Sequence, residues 1–230
     1  MAWINEAPLP FTYTTDISFS PIVSNVVYII DRASAFWKYN LATKIYSQLT
    51  NPSYTAEGCY RTLAISPDGL KIATISEGGA SDPVGRRIDI YTIATNAWAA
   101  SSQCPIISGQ SGSLKSLVWA DNDTIWAWVT DGSALNGKCI KYVVSTNIWT
   151  QYANLTGVQT IWLGKCAAIN AAGTVVYGGQ IGATAITYFT YTIATDTYST
   201  ASASTGINFG WCYDKDKLWF FDTPTYRQGY

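Results

Sequence analysis

One short phrase returns four times along this chain. It reads Tyr39-Asn40-Leu41-Ala42-Thr43-Lys44-Ile45-Tyr46, then Tyr91-Thr92-Ile93-Ala94-Thr95-Asn96-Ala97-Trp98, Tyr142-Val143-Val144-Ser145-Thr146-Asn147-Ile148-Trp149 and Tyr191-Thr192-Ile193-Ala194-Thr195-Asp196-Thr197-Tyr198. The leading tyrosines stand about 50 residues apart, a period that marks one supersecondary unit repeated, each copy burying its apolar face against the next. Composition agrees with strands rather than helices. Aromatic residues make up 14% of the chain and charged residues only 13%, about half the usual share of roughly 25%. Ser, Thr and Ala take the places that Lys and Glu fill on helical surfaces.

The second copy resolves into four strands. Thr62-Leu63-Ala64-Ile65 ends at Ser66-Pro67-Asp68-Gly69, a strong turn signal, and Leu70 to Ile75 follows as an alternating strand. A polar loop from Glu77 to Arg87 leads to Ile88–Ile93, and Ala94-Thr95-Asn96 turns the chain into Ala97–Ala100. Four antiparallel strands in a meander form a propeller blade. The first turn recurs at Ala120-Asp121-Asn122-Asp123, Asn170-Ala171-Ala172-Gly173 and Asp214-Lys215-Asp216. Second strands follow at Ile125–Val129, Val175–Tyr177 and Leu218–Phe221, and Val26–Ile30 fills that place in the first copy. Five second strands against four tyrosine phrases predict exchange at the ends. Tyr226 to Tyr230 reads as a third strand, and Ala2 to Pro10 as the missing fourth, with Trp3 standing where Trp98 and Trp149 stand. The expectation is an all-β, five-bladed β-propeller of four-stranded antiparallel blades. Residues 1–230 form one domain, closed by the N-terminal strand completing the last blade, which ties off a sheet edge.

Gly78-Gly79, Gly178-Gly179, the tyrosine-to-Trp/Tyr turn unit and Pro8-Leu9-Pro10 after Trp3 resemble kelch-type propeller blades. Gly173 to Tyr198 matches best, and the first and third copies lack the double glycine. Kelch-type rings usually have more blades than five. The resemblance implies a ring-shaped binding scaffold, and such rings serve enzymes, adaptors and structural proteins alike. Both glycine pairs read as strand exits adopting positive φ.

Blade topology divides the turns between two faces. The first-to-second and third-to-fourth turns are short and uniform. The second-to-third loops are long and varied: Asp31 to Phe36, Glu77 to Arg87, Asp131 to Lys138 and Gly178 to Thr184. So are the connections Thr50 to Gly58, Pro105 to Gly112 and Asn154 to Gln159. Binding concentrates on varied loops carried by a rigid frame. The candidate binding residues on that open face are Asp31, Arg32, Trp37, Asp82, Arg86, Arg87, Asp131, Asn136, Trp162 and Gln180. Trp37 and Trp162 are the two tryptophans near open-face loops, whereas Trp98 and Trp149 suit blade-to-blade packing.

The chain contains no histidine, which removes Ser-His-Asp and Cys-His catalysis and every His-containing metal site. The open-face acids Asp31, Glu57, Glu77, Asp82 and Asp131 could in principle supply a carboxylate pair. Turn acids such as Asp68, Asp121 and Asp123 are expected to bond their own backbone. Five scattered cysteines without a Cys-x-x-Cys pair read as buried small hydrophobes. No catalytic residue, metal or cofactor is expected. A net charge of −1 gives no case for nucleic acid, and no apolar run is long enough to insert in a membrane. The N-terminus shows neither the basic nor the apolar region of a secretory signal.

Two readings of function follow. The first is a non-catalytic module contacting other proteins of a larger assembly, with the uncharged, aromatic-rich β composition pointing to a virion, as a phage tail, capsid accessory or host-attachment protein. Otherwise the chain is a cytoplasmic interaction adaptor. The second is a lectin holding surface glycans on exposed aromatics. Strong divergence among the loops favours one unique interface over repeated identical pockets.

Overall fold

Reversals of the backbone set where each strand starts and stops. Between third and fourth strands, Lys44 (φ 59), Asn96 (φ 50), Asn147 (φ 56) and Asp196 (φ 51) occupy the left-handed region, which Asn and Asp enter at low cost. Between first and second strands, Gly69 and Gly173 do so at φ 67, with no Cβ to clash. The computed structural model describes residues 10, 14–31, 35–52, 62–76, 87–105, 113–130, 136–156, 167–181, 186–203, 207–214 and 217–223.

Four sheets result, each of four antiparallel strands in chain order. The first holds β1 (Thr14–Phe19), β2 (Val26–Asp31), β3 (Phe36–Asn40) and β4 (Ile45–Gln48). The second holds β5 (Leu63–Ile65), β6 (Lys71–Ser76), β7 (Arg87–Thr92) and β8 (Ala97–Ala100). The third holds β9 (Ser113–Trp119), β10 (Thr124–Thr130), β11 (Asn136–Val143) and β12 (Ile148–Thr156). The fourth holds β13 (Ala167–Ile169), β14 (Val175–Ile181), β15 (Ile186–Thr192) and β16 (Thr197–Ala203). A hairpin of β17 (Ile207–Asp214) and β18 (Lys217–Thr223) follows. The only helical element among the described residues is a 3₁₀ turn at Ile193–Thr195.

The sheets meet through their first strands: β1 lies against β5, β5 against β9, β9 against β13, and β13 against β17. This is the propeller-like arrangement expected from the repeats. The strands expected to complete a fifth blade, at 226–230 and in the segment ending at Pro10, lie outside the described residues except for Pro10 itself.

Apolar faces interlock between successive sheets. Val26, Tyr28, Ile30 and Phe36 pack on Leu63, Ile72 and Tyr91 of the second sheet. Its other face, with Ala73, Ile75, Ile88 and Ile90, meets Leu114, Leu117, Trp119, Ile125 and Tyr142 of the third. Trp126, Trp128 and Cys139 then meet Val176, Phe189 and Tyr191 of the fourth. A backbone bond recurs in each four-stranded sheet from the residue two past the repeated tyrosine. Leu41, Ile93, Val144 and Ile193 donate to the carbonyls of Asn25, Leu70, Asp123 and Thr174, at 2.8, 3.1, 2.8 and 3.0 Å. This bond aligns the repeats residue by residue.

Several expected boundaries move. Leu70 belongs to the turn, because β6 begins at Lys71. Asn136 and Gln180 stand in strands rather than loops, paired with Thr156 and Thr187. Gly178 and Gly179 are not strand exits. They lie inside β14, opposite Phe189 and Tyr188. Phe189, the cross-strand partner of Gly178, meets the Trp128 ring edge-on at 4.6 Å.

Candidate functional site

The repeated phrase does more than turn the chain. In the second sheet the Tyr91 hydroxyl donates to Asn96 Oδ1 at 2.7 Å, and the same oxygen accepts the Thr50 amide of the first sheet's exit at 3.0 Å. Trp98 Nε1 donates to the Thr50 carbonyl at 2.6 Å. The third sheet repeats the device on Ser102. Tyr142 donates to Asn147 Oδ1 at 2.9 Å, Ser102 N donates to it at 2.7 Å, and Trp149 Nε1 donates to Ser102 O at 3.1 Å. The second and third blades thus clasp the chain leaving the blade before them, on both its N–H and its C=O. The expected packing role of Trp98 and Trp149 is met, with an added polar grip. In the fourth sheet Tyr191 still donates to Asp196 Oδ1 at 2.8 Å. There Tyr198 replaces the tryptophan, and its hydroxyl accepts the Cys139 amide at 3.1 Å. That amide is available because β11 carries an irregularity between Lys138 and Ile140.

Burial tunes these phenols. Tyr91 is pushed up to about 12, first by burial and then by Tyr28 beside it. Tyr191 and Tyr198 are raised further, again chiefly by burial, with Asp196 adding to both. The Cys139 thiol is raised well above its ordinary value by burial, the opposite of an activated nucleophile.

At the open-loop end, Asp31 is buried at the close of β2, and its Oδ1 accepts the Ala35 amide at 2.8 Å, tying the ends of the β2–β3 loop together. Trp37 lies half-buried in β3 against Val27, Ile29 and Tyr39. Arg87 opens β7, its Nε 3.4 Å from Asp89 Oδ1. Asn136 and Gln180 are placed on strands as given above. Arg32, Asp82, Arg86, Asp131 and Trp162 lie outside the described residues.

One feature of this region escapes inspection of the sequence. Thr74 and Asp89 pair across β6 and β7, and both are buried, at 0% and 2% exposure. The aligned pairs in the other sheets are Ile29/Trp37, Ala127/Ile140 and Gly178/Phe189. The second sheet alone turns a polar row toward the first. Thr74 Oγ1 has no hydrogen-bond partner among the described residues. Alignment by register, rather than by the tyrosine phrase, is the signal that finds this pair.

On the opposite face Asp68 and Asp121 hold their own tight turns, as expected, whereas Asp123 departs from the expectation: its carboxylate accepts the amide and hydroxyl of Ser145, tying the first-to-second turn to the third-to-fourth turn of the same sheet. Asp68 Oδ1 accepts from the Ser66 hydroxyl at 2.6 Å and from the Leu70 amide at 3.0 Å. These bonds, with the hydroxyl the larger cause, hold its carboxyl below the usual range. Asp121 Oδ1 accepts the amides of Asp123 and Thr124, both at 2.7 Å. Among the described residues seven large apolar side chains are exposed, and six of them sit at these turns: Phe19, Ile22, Val23, Ile45, Leu70 and Ile148.

No protein-family model and no curated protein matches the chain. Among solved structures, a structure of U3-55K, a β-propeller, superposes with a TM-score of 0.57 at 10% identity, covering 94% of this chain and 63% of that one. The chain therefore spans less than two thirds of that protein's length. In all, 980 chains of solved structures match. A likeness so widespread and so low in identity fixes architecture and leaves activity open.

Proposed function

We propose that this chain is a non-catalytic binding or structural propeller, five-bladed and kelch-like, with the N-terminal strand closing the ring and residues 1–230 acting as one domain. The observation that carries the reading is the set of exposed apolar side chains on the tight-turn face, set on a frame whose blades are clasped to one another. Exposed apolar groups gathered on a rigid frame suit a contact with another protein. The carboxylates seen near the open-loop end serve the fold: Asp31 holds a loop amide, and Asp89 faces Arg87. The uncharged, aromatic-rich composition favours a virion component as the setting, with an attachment or accessory role.

The test is isolation of the protein from its source, followed by light scattering and electron microscopy. Recovery within a particle or filament supports the proposal. A free 25.1 kDa chain stabilised by glycans would replace it with the lectin reading.

A further inference from the structure

The exposed apolar side chains are not spread evenly. Four of them belong to two adjoining turns, one from each of the first two sheets. Phe19 is 61% exposed, Ile22 56%, Val23 49% and Leu70 54%. The turns touch: a Cβ built on Gly69 would stand 2.5 Å from Ile22 Cγ1 and 3.0 Å from Cδ1, so the Ile22 side chain lies directly on the Gly69 backbone. Val23 N donates to Ser20 Oγ at 3.0 Å and Ser20 N to Val26 O at 3.0 Å, which pins the first turn in shape. A fixed apolar surface is presented without ordering cost.

The charges of the second turn are already engaged within the fold. Asp68 is spent on Ser66 and Leu70, and Lys71 Nζ donates to the Asn122 carbonyl at 3.1 Å. The first turn, Ser20-Pro21-Ile22-Val23-Ser24-Asn25, has no charged residue. The surface is therefore apolar at its centre, and beside its second turn stands one charge of each sign, Asp68 and Lys71. Such a surface complements itself.

The exposed parts of the four side chains sum to about 400 Å², half of the roughly 800 Å² that one partner gives to a stable interface, which is the proportion expected of an apolar core within a polar rim. Two-fold pairing is the commonest way for a chain to cover such a patch, since the same surface then serves both partners.

We infer that the turns Phe19–Asn25 and Pro67–Leu70 form an isologous contact with a second copy of this chain, Ile22 of each copy lying near the two-fold axis. The inference rests on the protein-contact reading above, and it places that contact on the tight-turn face rather than on the open loops.

Sedimentation of the full-length chain over a range of concentrations tests it, with Ile22→Asp and Leu70→Lys made separately. The expected result is a dimer of the 25.1 kDa chain. Each variant should weaken it about 30-fold or more, the effect of losing a central contact, with circular dichroism and the unfolding midpoint kept close to those of the parent. A parent that stays monomeric at 100-fold above typical assay concentration overturns the inference, as does a dimer indifferent to both variants. If a variant fails to fold, Val23→Ser reads the same contact without adding charge. A monomeric chain nonetheless recovered in particles would sink the self-contact and leave the proposed function standing. A dimer never found in any assembly would do the reverse.

Discussion

Replacing Asn147 by Ala removes three things that one side chain supplies. The backbone there sits at φ 56, a region where Ala is worse than Asn by about 1 kcal/mol. The Tyr142 hydroxyl, on a side chain only 3% exposed, loses its acceptor, and so does the Ser102 amide. Each bond, the Tyr142 one partly buried and the Ser102 one at the surface, is worth about 1 kcal/mol. The total is about 3 kcal/mol, which for a chain of this size lowers the melting midpoint by about 9 °C. Urea unfolding followed by tryptophan fluorescence measures it, with the slope unchanged if only stability is altered. Two companions separate the parts. Asn147→Gly restores the backbone and should lose only the two bonds, about 2 kcal/mol. Asn147→Asp keeps the acceptor, as Asp196 does naturally, and should cost under about 1 kcal/mol. An Ala variant as stable as the parent would refute the clasp, and so would a Gly variant worse than Ala.

Three further outcomes follow from the same structure. Thr74→Val should stabilise the fold by about 1 kcal/mol, because an isosteric methyl replaces a buried hydroxyl with no partner among the described residues; chemical denaturation reads it, and a loss of stability would mean the hydroxyl is satisfied in solution. Alkaline titration should destabilise the protein from about pH 10 upward. Raised folded-state values for Tyr91, Tyr191 and Tyr198 mean that the unfolded chain releases these protons first. Their contribution is whole below pH 10 and is lost as pH rises through 12 and beyond; a flat melting midpoint across that range contradicts the burial of these phenols. Cys139, fully buried with a raised thiol, should resist alkylation until the chain unfolds, as peptide mass mapping at increasing urea will show; labelling in the native state at pH 8 would contradict it.

The sequence carried the local parts of the fold. Each tyrosine phrase found its hairpin because the reversal is specified within a few residues, by Asn96, Asn147 and Asp196 entering the left-handed region. The turn acids Asp68 and Asp121 were legible for the same reason. What crosses from blade to blade was not. Nothing in Asn147 announces that its oxygen serves Ser102, which lies 45 residues earlier. The pairing of Thr74 with Asp89 needs the strand register, and a slip of one residue would have sent both to the other face. The glycine pair was misread because an in-strand glycine facing Phe189 and a turn glycine look alike until the cross-strand partner is known. Of the ten open-face residues singled out, Asp31 and Arg87 stand beside specific partners, and the structure assigns them holding duties. The tight-turn apolar set was overlooked because Phe19, Ile22 and Leu70 read as strand or turn residues, and their exposure depends on how neighbouring turns lean.

The clasps also impose an order in time. Thr50 is gripped by residues 46 and 48 positions later, and Ser102 by residues 45 and 47 later. A chain emerging from the ribosome therefore completes each blade's outer strand before its fastener exists, and secures it only when the next blade arrives. These clasps join blades adjacent in sequence, which keeps that part of the search short for an all-β chain. A released chain truncated after residue 105 should leave its 97–105 segment open to protease, and one truncated after residue 156 should protect it. Growth from one end, the second and third units each locking the one before, makes synthesis itself the guide that keeps those blades from pairing out of turn.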